Sequence, residues 1–249
     1  MTGETAIAVN YTRSEVRRVL HNPRFLLFSI GLPLLLFGAF SSATNGDTLG
    51  GLQVAPYIMV SMATFGAMSA VFSTGGRIAM ERSTGWNRQL RLTALGGPHY
   101  VLSKVATGYA MAVPAVIVVF IAGAELRHIH LSAGRWLLAG VSVLLALLPI
   151  AAFGIFLAYA INPENMQAVT GGVYTLMSLA GGLWIPIENF PGWLADIVKA
   201  LPMYWSAGAG RAAIEGHWLG WRGLFTLAAW TVVLGWIAAR AFQRDQLRT

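Results

Sequence analysis

The residues richest in chemical potential form one stretch, Glu81-Arg82-Ser83-Thr84-Gly85-Trp86-Asn87-Arg88-Gln89-Leu90-Arg91-Leu92. It is the longest strongly polar interruption between two long apolar segments. Thr84 is suited to cap a helix start. Trp86 and Leu90 then stand at i, i+4 on one face, with Arg88 and Arg91 on another. A Trp-Leu knob flanked by Arg suits insertion into a groove on a partner, because Trp and Arg dominate the energetics of such contacts. The plainer reading has Trp86 anchoring the stretch among lipid headgroups.

Other chemistries are missing. No Gly-x-x-x-x-Gly-Lys-Ser/Thr loop occurs, so no nucleotide is bound by a P-loop. His128-x-His130 is the one metal-like pair; it has no third ligand nearby and reads as two loop histidines. No His-Glu-x-x-His helix is present, and acids and histidines cluster at segment edges rather than forming a set with a serine. With no cysteine, thiolate catalysis, disulfides and Cys-based metal sites are excluded. We therefore expect no catalytic residue, no metal and no cofactor in this chain.

The elements that position the polar stretch are apolar and long. Hydrophobic residues make up 56% of the 249 and charged residues 11%, against roughly 25% charged in a soluble domain. Apolar segments recur from end to end, so the expected fold is all-α: a single polytopic membrane domain over 1–249. Six spans are expected, near Phe25–Ala43, Gln53–Ile78, Tyr100–Gly123, Trp136–Ile161, Met166–Ile187 and Trp218–Ala239. About twenty residues at 1.5 Å each cover roughly 30 Å of hydrocarbon. The run after Arg24 ends in Ser41-Ser42-Ala43, yet its preceding segment is too long for a signal-peptide n-region, and it is expected to stay as a membrane helix. Gly96-Gly97-Pro98 is expected to end any helix in the loop, and Pro114 to kink the third span.

Outside the spans lie three further features. An arm, 1–24, carries Val9, Thr12, Val16 and Val19 at helical spacing, with Arg13, Arg17, His21 and Arg24 on an adjacent face. That pattern fits an amphipathic helix along an anionic leaflet, or a plain cytoplasmic helix with a solvated basic side. The interval 188–217 holds a short apolar stripe within a cluster of tryptophans and tyrosines, and is expected to form one or two short helices at the outer interface. A charged tail, 240–249, closes the chain.

Six spans put both termini on one side. That side, with the 77–104 loop, holds twelve of the seventeen Lys and Arg residues. The positive-inside rule then puts both termini and the loop in the cytoplasm. The net charge of +7 reads as topology signal rather than as a nucleic-acid surface. The spans hold almost no ionisable residue, whereas proton-coupled transporters keep one near mid-membrane. Energy for any transport is expected from another subunit.

Several of these residues also resemble a known family. Glu81 through Pro98, followed by Tyr100 and Lys104, resembles the cytoplasmic loop of ABC-2 type transporter permeases. In that family a Glu-Arg plus Gly pattern opens the loop and a Lys opens the third span. The arm ending His21-Asn22-Pro23-Arg24-Phe25, then Pro33, looks like the family's N-terminal segment. Ile185-Pro186-Ile187-Glu188-Asn189-Phe190-Pro191-Gly192-Trp193-Leu194, with Leu201-Pro202, is similar to its last extracellular segment. The family often has an acid after Glu-Arg where Ser83 and Thr84 stand here, so no salt bridge at that point carries over.

The resemblance implies a multi-pass permease of the plasma membrane. Two copies, identical or not, would pair with two copies of a separate ATP-binding subunit that holds ATP and magnesium. It also implies a cytoplasmic coupling helix between the second and third spans and interfacial or re-entrant helices between the fifth and sixth. Glu81, Arg82, Gly85, Trp86, Arg88, Gln89, Leu90 and Arg91, with Arg13 and Arg17 of the arm, are the implied contacts to the ATPase. The cargo would be an exported drug, antibiotic or lipid-like amphiphile, with membrane lipids as neighbours. Ser69, Ser73, Thr170, Tyr174 and Ser178, on spans rich in small residues, are candidates for its pathway. The competing class is a structural or enzymatic membrane protein without transport.

Overall fold

Helix α4, Val54–Ser83, is the element around which the others pack. The computed structural model describes residues 3–42, 48–49, 52–85 and 97–248. In order the elements are α1 (Gly3–Leu20), α2 (Pro23–Leu26), a π-helical turn (Leu27–Gly31), α3 (Leu32–Ser42), β1 (Thr48–Leu49), β2 (Leu52–Gln53), α4, α5 (Gly97–Arg127), α6 (Ala133–Ala146), α7 (Leu148–Ala160), α8 (Pro163–Ala180), a 3-10 turn (Ile187–Asn189), α9 (Gly192–Lys199), α10 (Pro202–Glu215) and α11 (Gly220–Arg248). The two short strands pair antiparallel just before α4. The all-helical expectation holds apart from that pair, among the described residues.

Helix α4 has 30 residues, about 45 Å of helix, enough to cross the hydrocarbon and emerge. It is apolar and largely buried on every side, as expected of a helix with no polar face. Small residues allow this, because they let backbones approach closely. A Cβ on Gly75 would overlap the Gly154 carbonyl of α7. One on Gly66 would stand 2.5 Å from the Ser29 carbonyl oxygen, and one on Gly108 of α5 2.6 Å from Thr74 Oγ1. Helix α5 packs along α4 on one side and α7 on another, while α3, α8 and α10 close the rest. Helix α11 packs mainly on α7 and turns Trp221, Phe225, Val232 and Trp236 outward, as a lipid-facing helix does.

Among the described residues four stretches are long and apolar enough to cross a membrane: Val54–Ser83, Gly97–Arg127, Ala133–Ala160 and Gly220–Asp245. The first expected span is the shorter apolar helix Leu27–Ser42. The fifth is α8, 18 residues that open on Pro163 and Glu164 and stop at Gly181.

Several boundaries differ from expectation for local reasons. Gly97 and Pro98 begin α5, since proline has no N–H to lose in a first turn and its φ suits one; the loop helix they were expected to end lies outside the described residues. Pro114 lies inside a continuous α5. The fourth span breaks at Leu147, ahead of Pro149 at the start of α7. The tail continues α11 as helix to Arg248. Helix α4 runs through Glu81 and Arg82, so the first part of the polar stretch belongs to a span's end. In α1 the inward face is set by Ala8, Tyr11, Thr12, Glu15 and Val19, while Val9 is 54% exposed. That rotates the face from the one centred on the valines, because an acid sits where hydrophobic spacing looks for an apolar residue.

The Gly75–Gly154 crossing makes a direct prediction. Gly75→Ala should cost about 1–3 kcal/mol, since backbone rather than a flexible side chain must yield. Gly76→Ala, with open space around its Cβ position, should be neutral or stabilise by up to about 1 kcal/mol. Thermal unfolding of the two purified variants in one detergent measures the contrast, and equal shifts would contradict the crossing.

Candidate coupling site

Lys104 stands about two turns into α5, with its side chain 0% exposed. A buried ammonium is tolerated only with close counter-charges, and two carboxylates supply them. Glu15 of α1, 3% exposed, accepts from Lys104 Nζ at 2.7 Å. Glu81 near the end of α4 forms the second ion pair through Oε1. The Tyr100 hydroxyl donates to the other Glu81 oxygen at 2.5 Å. The Tyr11 and Tyr100 rings, tilted against each other at 6.2 Å, lie 5.1 and 5.5 Å from Nζ, close enough for cation–π attraction. Burial pushes the Tyr11 phenol above its ordinary range against the pull of Lys104, so Tyr11 presents a neutral ring. Arg18 completes the balance from the surface, its Nη1 3.0 Å from Glu15.

Sequence order explains the assembly. Glu15 is reached from Lys104 only if α1 lies against the start of α5, and α1 packs there. Glu81 is the fourth residue after Arg77, whose guanidinium shares this environment: Nη2 donates to Thr74 Oγ1 at 3.2 Å and the charge lies 5.9 Å over the Phe25 ring.

A second ion pair adjoins the first. Arg82 binds Asp245 of α11 in a bidentate fork, Nε to Oδ2 at 3.2 Å and Nη2 to Oδ1. Nη1 donates to the Ala158 carbonyl at the end of α7, and the guanidinium lies 4.9 Å over the Tyr159 ring. Consecutive residues Glu81 and Arg82 therefore tie α4 to α1, α5, α7 and α11. The chain then turns at Thr84 and Gly85, which has φ +71°, and leaves the described residues at 86–96.

Residues 9–214 match the family of the ABC-2 type transporter. The chain belongs to the ABC-2 type transporter family. Over 234 residues it is also 27% identical to "Putative transport permease YvfS" of Bacillus subtilis (strain 168), covering 94% of this chain and 95% of that protein. With four stretches able to span a bilayer among the described residues, this member of the family is a multi-pass membrane protein and a transport permease.

Within the family reading, the expected ATPase contacts fall into three groups. Arg13 and Arg17 are exposed on α1. Glu81 and Arg82 are turned inward and used in ion pairs within the chain. Trp86, Arg88, Gln89, Leu90 and Arg91 lie outside the described residues, as does Gly96. No salt bridge was carried over at Ser83 and Thr84, and both are exposed, bonding only to carbonyls of their own turn. Glu15 and Asp245, with the pairing roles of Tyr100 and Lys104, were missed by sequence reasoning. The available signal was an acid among the apolar positions of the arm.

Of the five pathway candidates, Ser69 and Ser73 lie on α4 and Thr170, Tyr174 and Ser178 on α8, which packs against it. The Tyr174 hydroxyl donates to the Phe65 carbonyl at 2.8 Å, its ring tilted against Phe65 at 5.0 Å. Ser178 and Ser73 donate to carbonyls of their own helices, and Thr170 Oγ1 is buried without a partner. The outer side of α8 shows Gly171, Gly172, Thr175 and Leu176 exposed. His128 and His130 are both exposed, on either side of buried Ile129.

Lys104→Met should leave Glu81 without its lysine partner and Glu15 with only the exposed Arg18. The expected cost is about 3–5 kcal/mol, read as a lower thermal midpoint in detergent. Adding Glu15→Gln and Glu81→Gln should recover most of it. Failure of the triple variant to exceed Lys104→Met would refute the charge-pair account.

Proposed function

We propose that this chain is the permease subunit of an ATP-driven exporter, energised by a separate ATP-binding protein. The carrying observation is the knot of ion pairs around Lys104 and Arg82. It joins the N-terminal arm, the α4 end and the C-terminal helix close to where the described chain stops at Gly85. An element bound into four others is a fitting place to receive mechanical work, since displacement there moves helices and not only a loop.

The full reading has one domain over 1–249 with six spans. Leu27–Ser42 and α8 complete the four long ones, with tilt and local thinning accommodating their length. Both termini lie in the cytoplasm and the protein resides in the plasma membrane. Residues 86–91 form a coupling helix that docks, with Arg13 and Arg17, on the ATPase, which binds ATP and magnesium. Two permease copies stand with two ATPases. An amphiphilic drug, antibiotic or lipid passes along the α4–α8 faces that carry Ser69, Ser73, Thr170, Tyr174 and Ser178.

Two measurements test this together. The chain should co-purify with an ATP-binding protein in fixed ratio; a chain that purifies alone from its native membrane would point to a protein without transport. Trp86→Ala, at an aromatic hot spot, should weaken that association by about 2 kcal/mol. It should lower substrate-stimulated ATP hydrolysis with insertion unchanged, and unchanged stimulation would overturn the coupling role.

A further inference from the structure

At the other end of α4 a second cation is buried, and it has no carboxylate. Tyr57 and Glu81 are 24 positions apart, about 36 Å along the helix. There Arg211 of α10 packs its guanidinium 3.8 Å over the Tyr57 ring. Nη2 donates to Ser61 Oγ at 2.8 Å and to the Gly182 carbonyl at 2.7 Å. Tyr57 Oη donates to the same carbonyl at 3.2 Å. Gly182, at φ +62°, holds the turn that presents this carbonyl after α8. Nε is buried without a partner. Nη1 makes no hydrogen bond among the described residues.

No ion pair forms at Arg211 within 4.0 Å among the described residues. Glu188 is the carboxylate whose field reaches it, and Glu188 is exposed. The contrast with Lys104, matched by two acids, and with Arg82, matched by Asp245, is direct. A guanidinium taken out of water costs several kcal/mol unless an anion answers it. Its N–H groups fit phosphate and carboxylate oxygens.

We propose that Arg211, backed by Tyr57 and Ser61, is a binding site for one oxyanion, the phosphate or carboxylate of an amphiphile, at the end of the bundle away from the termini. Nη1 and the charge take the ligand while Nη2 stays bonded to the α8 turn. Glu188 competes for the same charge. A lipid headgroup and a soluble oxyanion share this chemistry, and the experiment separates them.

The purified chain is placed in phosphatidylcholine nanodiscs, without nucleotide or ATPase, and its thermal midpoint is followed with two probes: inorganic phosphate in solution, and phosphatidylglycerol in the disc. A rise with phosphate assigns a soluble oxyanion; a rise with phosphatidylglycerol alone assigns a headgroup. Arg211→Gln keeps an amide donor for Ser61 and Gly182 and should weaken the apparent affinity about tenfold or more. That comparison also separates the site from basic residues of the arm. Glu188→Gln, at an exposed position, should tighten it about twofold. A wild-type midpoint indifferent to both probes, or Arg211→Gln responding like wild type, overturns the site. Should Arg211→Gln not fold, an unchanged or weaker response in Glu188→Gln overturns it. Because no transport is measured, failure of the export reading leaves this result standing.

Discussion

A lysine buried in an apolar bundle is the constraint on which the rest depends. The Lys104 ammonium is fully enclosed, and the cost of desolvating it exceeds what any single hydrogen bond returns. It is tolerable because Glu15, Glu81 and two tyrosine rings arrive together. That requirement fixes α1 against α5 and sets the rotation of α1 about its axis. It also fixes the height at which α4 ends. Removing any partner leaves a buried charge, so the elements are coupled in stability, not merely adjacent.

Glycine contacts determine how such coupling extends. Helix α4 touches its neighbours through backbone at Gly66, Gly75 and, from α5, Gly108. Contacts of that kind have no side chain to flex, so relative movement requires sliding or rotation of whole helices. The ion pairs hold one end of the bundle and the glycine crossings hold its middle. A pull applied at Glu81 and Arg82 is thus distributed to α1, α5, α7 and α11, whereas a pull on a free loop would be absorbed in the loop.

Span placement was largely legible because apolar length is a one-dimensional property, and α4, α5 and α11 each begin or end within a few residues of expectation. Proline and glycine punctuation misled in both directions. Pro98 opens a helix, and Pro149 breaks a span that composition alone reads as continuous. The inward face of α1 was misread because Glu15 looks like a surface residue until Lys104 is brought beside it, 89 positions away. Asp245 was read as part of a charged tail for the same reason: its partner Arg82 is 163 positions distant. Pairings across such separations leave no local periodicity. The inward roles of the first two residues of the polar stretch were therefore not legible.

The two ends of α4 follow opposite electrostatic rules, and the difference bears on how a permease uses them. At the Lys104 end Lys104 and Arg82 are each answered by carboxylates of the chain, in whose field Arg77 also lies, which favours one fixed arrangement. At the Arg211 end the charge is held by a ring face, a hydroxyl and one carbonyl, partners that stabilise a cation less than a carboxylate does. An internally satisfied cluster has little to gain from an outside ligand. An unsatisfied one changes its free energy when an anion arrives, and only a ligand with different affinity for two states can shift their populations. Sensitivity to what is bound therefore belongs to the Arg211 end, and mechanical continuity to the Lys104 end.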